Sequence, residues 1–160
     1  HRISRSPVVA LRYFTVYGPG QRPDMAFTRI CASLLSGGVF TRLGDGTQVR
    51  DFTYVSDAVD ATIRLMKSSA SGAYNIGGGS EASLNAVIAF FEKVSGRSLS
   101  IDVKPAAQGD VLKTCASTEK IRLATDWKPA LTLEQGIESH WKWAAENSDA
   151  VCAAVFGKSL

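Results

Sequence analysis

What this 160-residue chain lacks narrows the field first. Cys31, Cys115 and Cys152 are odd in number and share no metal-ligand spacing, so reduced thiols in a cytoplasmic setting are expected. His140 has no second ligand-type residue at metal spacing, and it reads as an ordinary histidine on a helix surface, with no metal expected. No basic run reaches five residues, and 18 basic against 15 acidic side chains leave a net charge of +3. That mild excess suits small anionic molecules and makes no case for nucleic acid. No apolar run is long enough to span a bilayer, and neither a signal peptide nor a membrane partner is expected. The run Gly77-Gly78-Gly79 fits neither G-x-G-x-x-G nor G-x-x-x-x-G-K, and reads as structural.

What is present suits one soluble domain with a sizeable core: 45% hydrophobic and 21% charged residues. The chain is organised around Val9 to Ala26. There an apolar run, Val8 to Phe14, ends in the turn-rich loop Tyr17-Gly18-Pro19-Gly20, which delivers Arg22 to the start of a helix. In open α/β sheets ligands bind at this carboxyl edge of a strand. A second segment, Gly44 to Asp57, carries Arg50 to the same kind of edge before the next helix. Two arginines on such loops point to an anionic ligand, on which both are expected to converge. Arginine suits that task, because its planar fork bonds two phosphate oxygens and keeps its charge.

Periodicity sets the elements. Residues 1 to 7 read as linker-like. Val8 to Phe14 and Ala73 to Ile76 read as parallel strands covered on both faces. Asp24 is expected to cap a helix carrying Phe27, Ile30, Cys31, Leu34 and Leu35 inward, and Gly37-Gly38 to end it. Val39 to Leu43 and Gln48 to Phe52 read as a hairpin about Asp45-Gly46. A helix from Ser56 or Asp57 sets Val59, Ile63 and Met66 on one face. Ser83 caps a helix that turns Leu84, Val87, Ile88 and Phe91 inward and closes at Gly96. Leu99 to Val103 is a strand, Pro105 to Thr114 a polar loop with Asp110, and Thr118 to Ala124 a short helix. Thr132 and Gln135 form a capping box for a last helix to about Asn147, before a weakly patterned tail. Trp127, Trp141 and Trp143 read as packing residues.

Alternation of strands and helices gives an α/β class, yet two buried parallel strands do not make a stable doubly wound sheet. The chain also begins at His1 without a methionine. A piece of a longer protein is therefore expected.

The segments LRYFTVYGPGQRPDMAF, LGDGTQVRDFTYVSDAVDA, AYNIGGG, QGDVLKTCAS and DWKPALTLEQGI, in that order, resemble the carboxyl-terminal half of an extended short-chain dehydrogenase/reductase. The likeness covers residues 7 to 147 and is greatest to NAD-dependent nucleotide-sugar epimerase/dehydratases such as UDP-glucose and UDP-glucuronate 4-epimerases. The resemblance implies part of a Rossmann-type parallel sheet plus a smaller α/β substrate-binding lobe. Residues 7–16 and 55–77 would complete the sheet, 17–54 and 78–147 would form the lobe, and 148–160 would be a tail. It also implies NAD as cofactor, a nucleotide-sugar substrate and a cytoplasmic homodimer formed through the preceding half. The reaction implied is transient oxidation to a 4-keto sugar with return of hydride. A nucleotide-hexose 4,6-dehydratase and an inactive sugar-nucleotide-binding module are the alternatives.

By the same resemblance no catalytic residue falls in this chain, because the family's glycine-rich motif and Tyr-x-x-x-Lys pair are both missing. Tyr13 and Phe14 would lie near the nicotinamide, with Tyr17 and Pro19 bordering its pocket; core packing is the plain reading of the first two. Thr15 would stand between cofactor and substrate, where many epimerases have asparagine and uronate epimerases tend to threonine. Arg50 would bind the diphosphate, a surface ion pair with Asp51 being the alternative. Arg22 would reach the sugar or phosphate, and Arg29 stands one turn inside the same helix, whose first N–H groups could also face an anion. Thr41 and Leu43 would line the base, and Asp110 would contact the ribose or order its loop. Two departures bear on affinity and substrate class: Ala107 stands where many members have arginine, and Ser117 where aspartate is frequent.

Overall fold

A computed structural model describes residues 8–157; the stretch expected to be linker-like, residues 1–7, lies outside them. Strand β1 (Val9–Tyr13) pairs in parallel with β5 (Gly72–Ile76), in register Val9 to Gly72 through Tyr13 to Ile76. Strand β4 (Val49–Tyr54) lies between β2 (Val16–Tyr17), parallel to it, and β6 (Ser80–Ser83), antiparallel. A third small sheet joins β3 (Val39–Leu43) in parallel to β7 (Ser100–Lys104). The helices are α1 (Ala26–Ser36), α2 (Val55–Met66), α3 (Leu84–Ser95), α4 (Glu119–Thr125), α5 (Leu133–Glu146) and α6 (Ser148–Phe156). The α/β class and its parallel strands are as expected.

Two apolar cores divide the molecule. In the larger, α1, α3, α5 and α6 pack on one another and α5 on β4, with Phe27, Ile30, Phe91 and Ile137 almost wholly buried. The smaller gathers Ala58, Ala61 and Leu65 of α2, Tyr74 and Ile76 of β5, and Ile121 and Trp127, with Val9, Leu11 and Val16 against it. Ile121 and Trp127, assigned from the sequence to the substrate side, thus pack with the sheet side; the Trp127 ring N–H donates to the Asp57 carbonyl at 3.2 Å.

Local signals place several ends. Ser83 Oγ accepts the Ala86 N–H at 3.1 Å, and Gly96 closes α3 with φ 65°. The Thr132–Gln135 capping box forms in full, and Gly37 ends α1 in the left-handed region. Non-local pairing overturns others. Asp45-Gly46 turns the chain, but β3 and β4 do not form a hairpin: β3 pairs with β7 and β4 with β2 and β6. Asp24 does not cap α1, because its carboxylate faces Arg22 at 2.9 Å. Gln21 does that work, its Oε1 accepting the Thr28 N–H at 3.2 Å.

The inward face of α2 is the opposite of the expected one: Ala58, Ala61 and Leu65 are buried, while Val59, Ile63 and Met66 are exposed. Small alanines admit close approach to β1, β4 and α4, and the bulkier stripe is left outside. Nor is β1 covered on both faces, since Ala10, Arg12 and Tyr13 are exposed. The expected tail forms α6, whose Val151 and Cys152 are buried, chiefly against α1.

Candidate functional site

The loop between β2 and α1 is built to be rigid. Gly18 has φ 139°, and a Cβ there would lie 2.6 Å from Val55 Cγ1, so only glycine lets the turn rest on the start of α2. Gln21 clasps the loop from within: its amide donates to the Val16 carbonyl at 3.1 Å, and its Oε1 holds Thr28. One side of this loop borders a hollow of about 380 Å³ walled by Pro19, Met25 and Val55, with Gln21 and Arg22 at its rim. Tyr17 contributes to that wall, but its ring is 2% exposed, and its hydroxyl donates to the Leu133 carbonyl at 3.3 Å. Burial, reinforced by Tyr54, pushes that phenol well above its ordinary value, so Tyr17 exchanges no proton near neutrality.

The other side of the loop borders a second hollow, of about 230 Å³, where Asp24 and Arg29 meet β3, β4 and Asp110. Arg50 enters it from β4, donating to its neighbour's carbonyl, Val49 O, at 2.9 Å and to Asp110 Oδ1 at 2.5 Å. Asp110 reaches that position because its loop rides along β4: Val49 donates to the Leu112 carbonyl, and Thr114 donates back to Val49. Arg29 lies over the Phe40 ring, 5.5 Å from its centroid, a cation–π contact on the wall. Arg42 projects from β3 and donates to the Gly44 carbonyl at 3.2 Å and to Asn85 Oδ1 at 2.9 Å. Thr41 and Leu43 line the same hollow.

The structure therefore brings Arg29, Thr41, Leu43, Arg50 and Asp110 together, and separates them from Arg22. The expected convergence of Arg22 and Arg50 does not occur: they border different hollows, and the Arg22 head is turned to exposed Asp24. Tyr13 and Thr15 line neither hollow. The Tyr13 hydroxyl bonds Thr62 Oγ1 at 2.7 Å, the Phe14 N–H is spent on Ile76, and the Thr15 carbonyl accepts the Thr53 N–H.

Arg50 is not paired with Asp51, which is buried and accepts N–H groups from Gly79 at 3.0 Å and Ala116 at 2.9 Å. The triple glycine makes that possible: a Cβ on Gly77 would meet Ala116 Cβ at 2.3 Å, and one on Gly78 would meet the Phe52 carbonyl at 1.9 Å. The run packs backbone on backbone, in keeping with its structural reading. The N–H groups at the start of α1 are not all open to an anion either, since Gln21 takes that of Thr28.

His140 is not on a surface. It is fully buried among Phe27, Phe91 and Trp143, and burial pushes its imidazole down to about 4. Among the described residues no group of three His, Cys, Asp or Glu side chains could hold a metal, and no helix is long and apolar enough to cross a membrane. Sequence reasoning missed Arg42 and Gln21. Arg42 had a visible signal, a lone charge inside the apolar strand VFTRL; the Gln21 clasp had none.

Comparison with known proteins places this arrangement. Residues 2–77 match the NAD dependent epimerase/dehydratase family. A UDP-glucuronate 4-epimerase of Thermodesulfobacterium geofontis is 32% identical over 152 residues, 94% of this chain and 47% of that protein. The chain belongs to the NAD-dependent epimerase/dehydratase family. It spans about half the length of the curated relatives it matches. Among solved members, the Bacillus cereus UDP-glucuronic acid 4-epimerase in complex with UDP-glucuronic acid and NAD superimposes with a TM-score of 0.87 at 36% identity, over 92% of this chain and 48% of that one. A dTDP-glucose 4,6-dehydratase from Bacillus anthracis in complex with NAD gives 0.84 at 27% identity, over 91% and 47%. Epimerases and dehydratases thus share this half of the family's fold.

Proposed function

We propose that this chain is the sugar-nucleotide-holding part of an NAD-dependent UDP-sugar 4-epimerase, which oxidises the sugar transiently to a 4-keto form and returns the hydride. The observation that carries the reading is Arg50, held by Val49 and Asp110 at the mouth of a hollow that Arg29 also lines. A diphosphate is the natural occupant of such a site. Guanidinium groups on a walled, partly dry surface bind phosphate oxygens in pairs and keep their charge whatever the pH. Thr41 and Leu43 give the hollow an edge against which a flat base can lie, and Asp110 offers an acceptor for a ribose hydroxyl. Arg22 and Thr15 are assigned to the sugar side, and the division into residues 7–16 with 55–77 against 17–54 with 78–147 follows the two cores, apart from Ile121 and Trp127. The free thiols of Cys31, Cys115 and Cys152 support a cytoplasmic setting.

The first hollow fits one end of NAD only. Its apolar walls at Pro19, Met25 and Val55 suit a flat ring, while the chain has no glycine-rich turn for the cofactor's own pyrophosphate. Tyr13 and Phe14 are assigned to its approach. When bound, NAD supplies the hydride exchange with the sugar. What these residues contribute is grip: the nucleotide stays fixed while the sugar presents first one face and then the other.

Calorimetry of this chain with UDP tests the assignment. Arg50→Gln should weaken UDP by about tenfold or more, as loss of a charge-assisted phosphate contact does, and leave uridine unchanged. No UDP binding by the unmodified chain would overturn it. With the protein at its natural length, UDP-glucuronic acid or UDP-glucose should give the 4-epimer. Release of a 4-keto-6-deoxy sugar would assign a dehydratase instead, a reading that the Bacillus anthracis neighbour keeps open, and binding without turnover would assign the inactive module.

A further inference from the structure

We infer that Arg42 is a second cation for the diphosphate, preset by Asn85 to act beside Arg50. The inference rests on the nucleotide-sugar reading above and adds a binding residue to it.

Arg50 alone is a weak holder of a doubly charged group, because Asp110 already stands 2.5 Å from its head and cancels much of its field. Arg42 lines the same hollow and has no carboxylate in ion-pair contact among the described residues. Its hydrogen-bond partners are neutral acceptors, the Gly44 carbonyl and Asn85 Oδ1, which fix its geometry; the exposed Asp45 carboxylate on the same turn acts on its charge only from beyond ion-pair contact. One Nε and one Nη1 hydrogen are used, which leaves the Nη2 edge unspent for an anion.

Asn85 is itself locked. Its side-chain amide donates to the Asp45 carbonyl at 3.0 Å, and its backbone N–H donates to the Gly46 carbonyl at 3.0 Å. A Cβ on Gly46 would sit 2.1 Å from Asn85 Oδ1 and 3.0 Å from Arg42 Cδ, so the turn between β3 and β4 is shaped around this clamp. Asp45 stiffens the same turn by accepting from Thr47, through its N–H at 2.9 Å and its hydroxyl at 2.6 Å. A long cationic side chain held by neutral groups loses its rotamer entropy on folding and not on binding, which is how a preorganised anion contact gains affinity.

The test is calorimetry of the full chain with UDP and with uridine at two salt concentrations, for the unmodified protein, Arg42→Gln, Arg42→Lys and Arg50→Gln. Arg42→Gln should weaken UDP by about tenfold at low salt, with the difference shrinking at high salt and uridine unaffected. Arg42→Lys should recover part of that loss. UDP binding that depends on Arg50 and is indifferent to Arg42→Gln overturns this inference and leaves the functional reading standing. Equal weakening of UDP and uridine also overturns it, since Arg42 would then serve the base or the fold. No UDP binding by the unmodified chain removes the functional reading, and this inference with it.

Discussion

His140 makes acid sensitivity a measurable property of this fold. Its ring sits in a box of Phe27, Phe91 and Trp143, with centroids 6.0, 6.0 and 5.9 Å away, and neither ring nitrogen has a hydrogen-bond partner among the described residues. A charge there would be buried and would meet no acceptor among the described residues, so burial lowers the imidazole from its ordinary 6.5 to about 4. The sign follows from linkage. The folded state holds the neutral ring while the unfolded chain takes up a proton near pH 6.5, so this contribution is complete above that pH. It declines as pH falls toward 4 and is flat below. The interval corresponds to about 3 kcal/mol, a large part of a typical domain's stability.

Urea unfolding followed by tryptophan fluorescence between pH 7.5 and 4 measures it, with His140→Leu as the comparison. Other carboxylates titrate alike in both proteins, so the difference between the two profiles isolates His140. The variant should lose about 3 kcal/mol less than the parent on going from pH 7 to 4. At pH 7 it should be at least as stable, because it no longer buries an N–H without an acceptor. Parallel profiles would show that the ring is hydrated or partnered in solution and would refute the reasoning.

Two further perturbations test the packing. Gly136→Ala should destabilise by about 1–3 kcal/mol despite alanine's better helix propensity, because its Cβ would fall 2.0 Å from the Tyr17 hydroxyl; a rise in melting temperature would contradict this. Charged substitutions at Val59 and Met66, which are 51% and 74% exposed on α2, should reduce self-association by light scattering and change unfolding free energy by less than about 0.5 kcal/mol.

The legible parts of this fold were those whose cause is local. Ser83, Gly96, Gly37 and the Thr132–Gln135 box act within one turn of their own helix, and each does what its residue type dictates. Illegible parts have distant causes. The polar run Ser80–Ser83 becomes β6 because β4, some thirty residues earlier, offers it an edge. Asp45-Gly46 favours a hairpin, but β7 lies sixty residues on and takes β3 instead. Val59, Ile63 and Met66 carry a helical period as good as that of the alanines opposite. Size at the contact with β1 and β4 decides which face turns in, and hydrophobicity alone does not record it. For His140, residue type argued for the surface, whereas Phe27 and Phe91 come from two other helices and close over it only in three dimensions.

The candidate site follows the same division. Arg50 was found through its motif and Arg42 passed over, yet the two reach one hollow for a shared reason: the glycine-flanked turn at Asp45 reverses the chain without pairing its arms. A hairpin would have set β3 and β4 side by side and spent their facing edges on each other. Because each strand pairs elsewhere, a gap opens between them, floored by Phe40 and Phe52 and rimmed by the arginines. The loop at 18–25 then walls that gap off from the first hollow, Asp24 lining one side and Met25 the other. Gln21 and Gly18 hold the wall in place. On the proposed reading, a nucleotide gripped on one side of it keeps a fixed reach to the chemistry on the other.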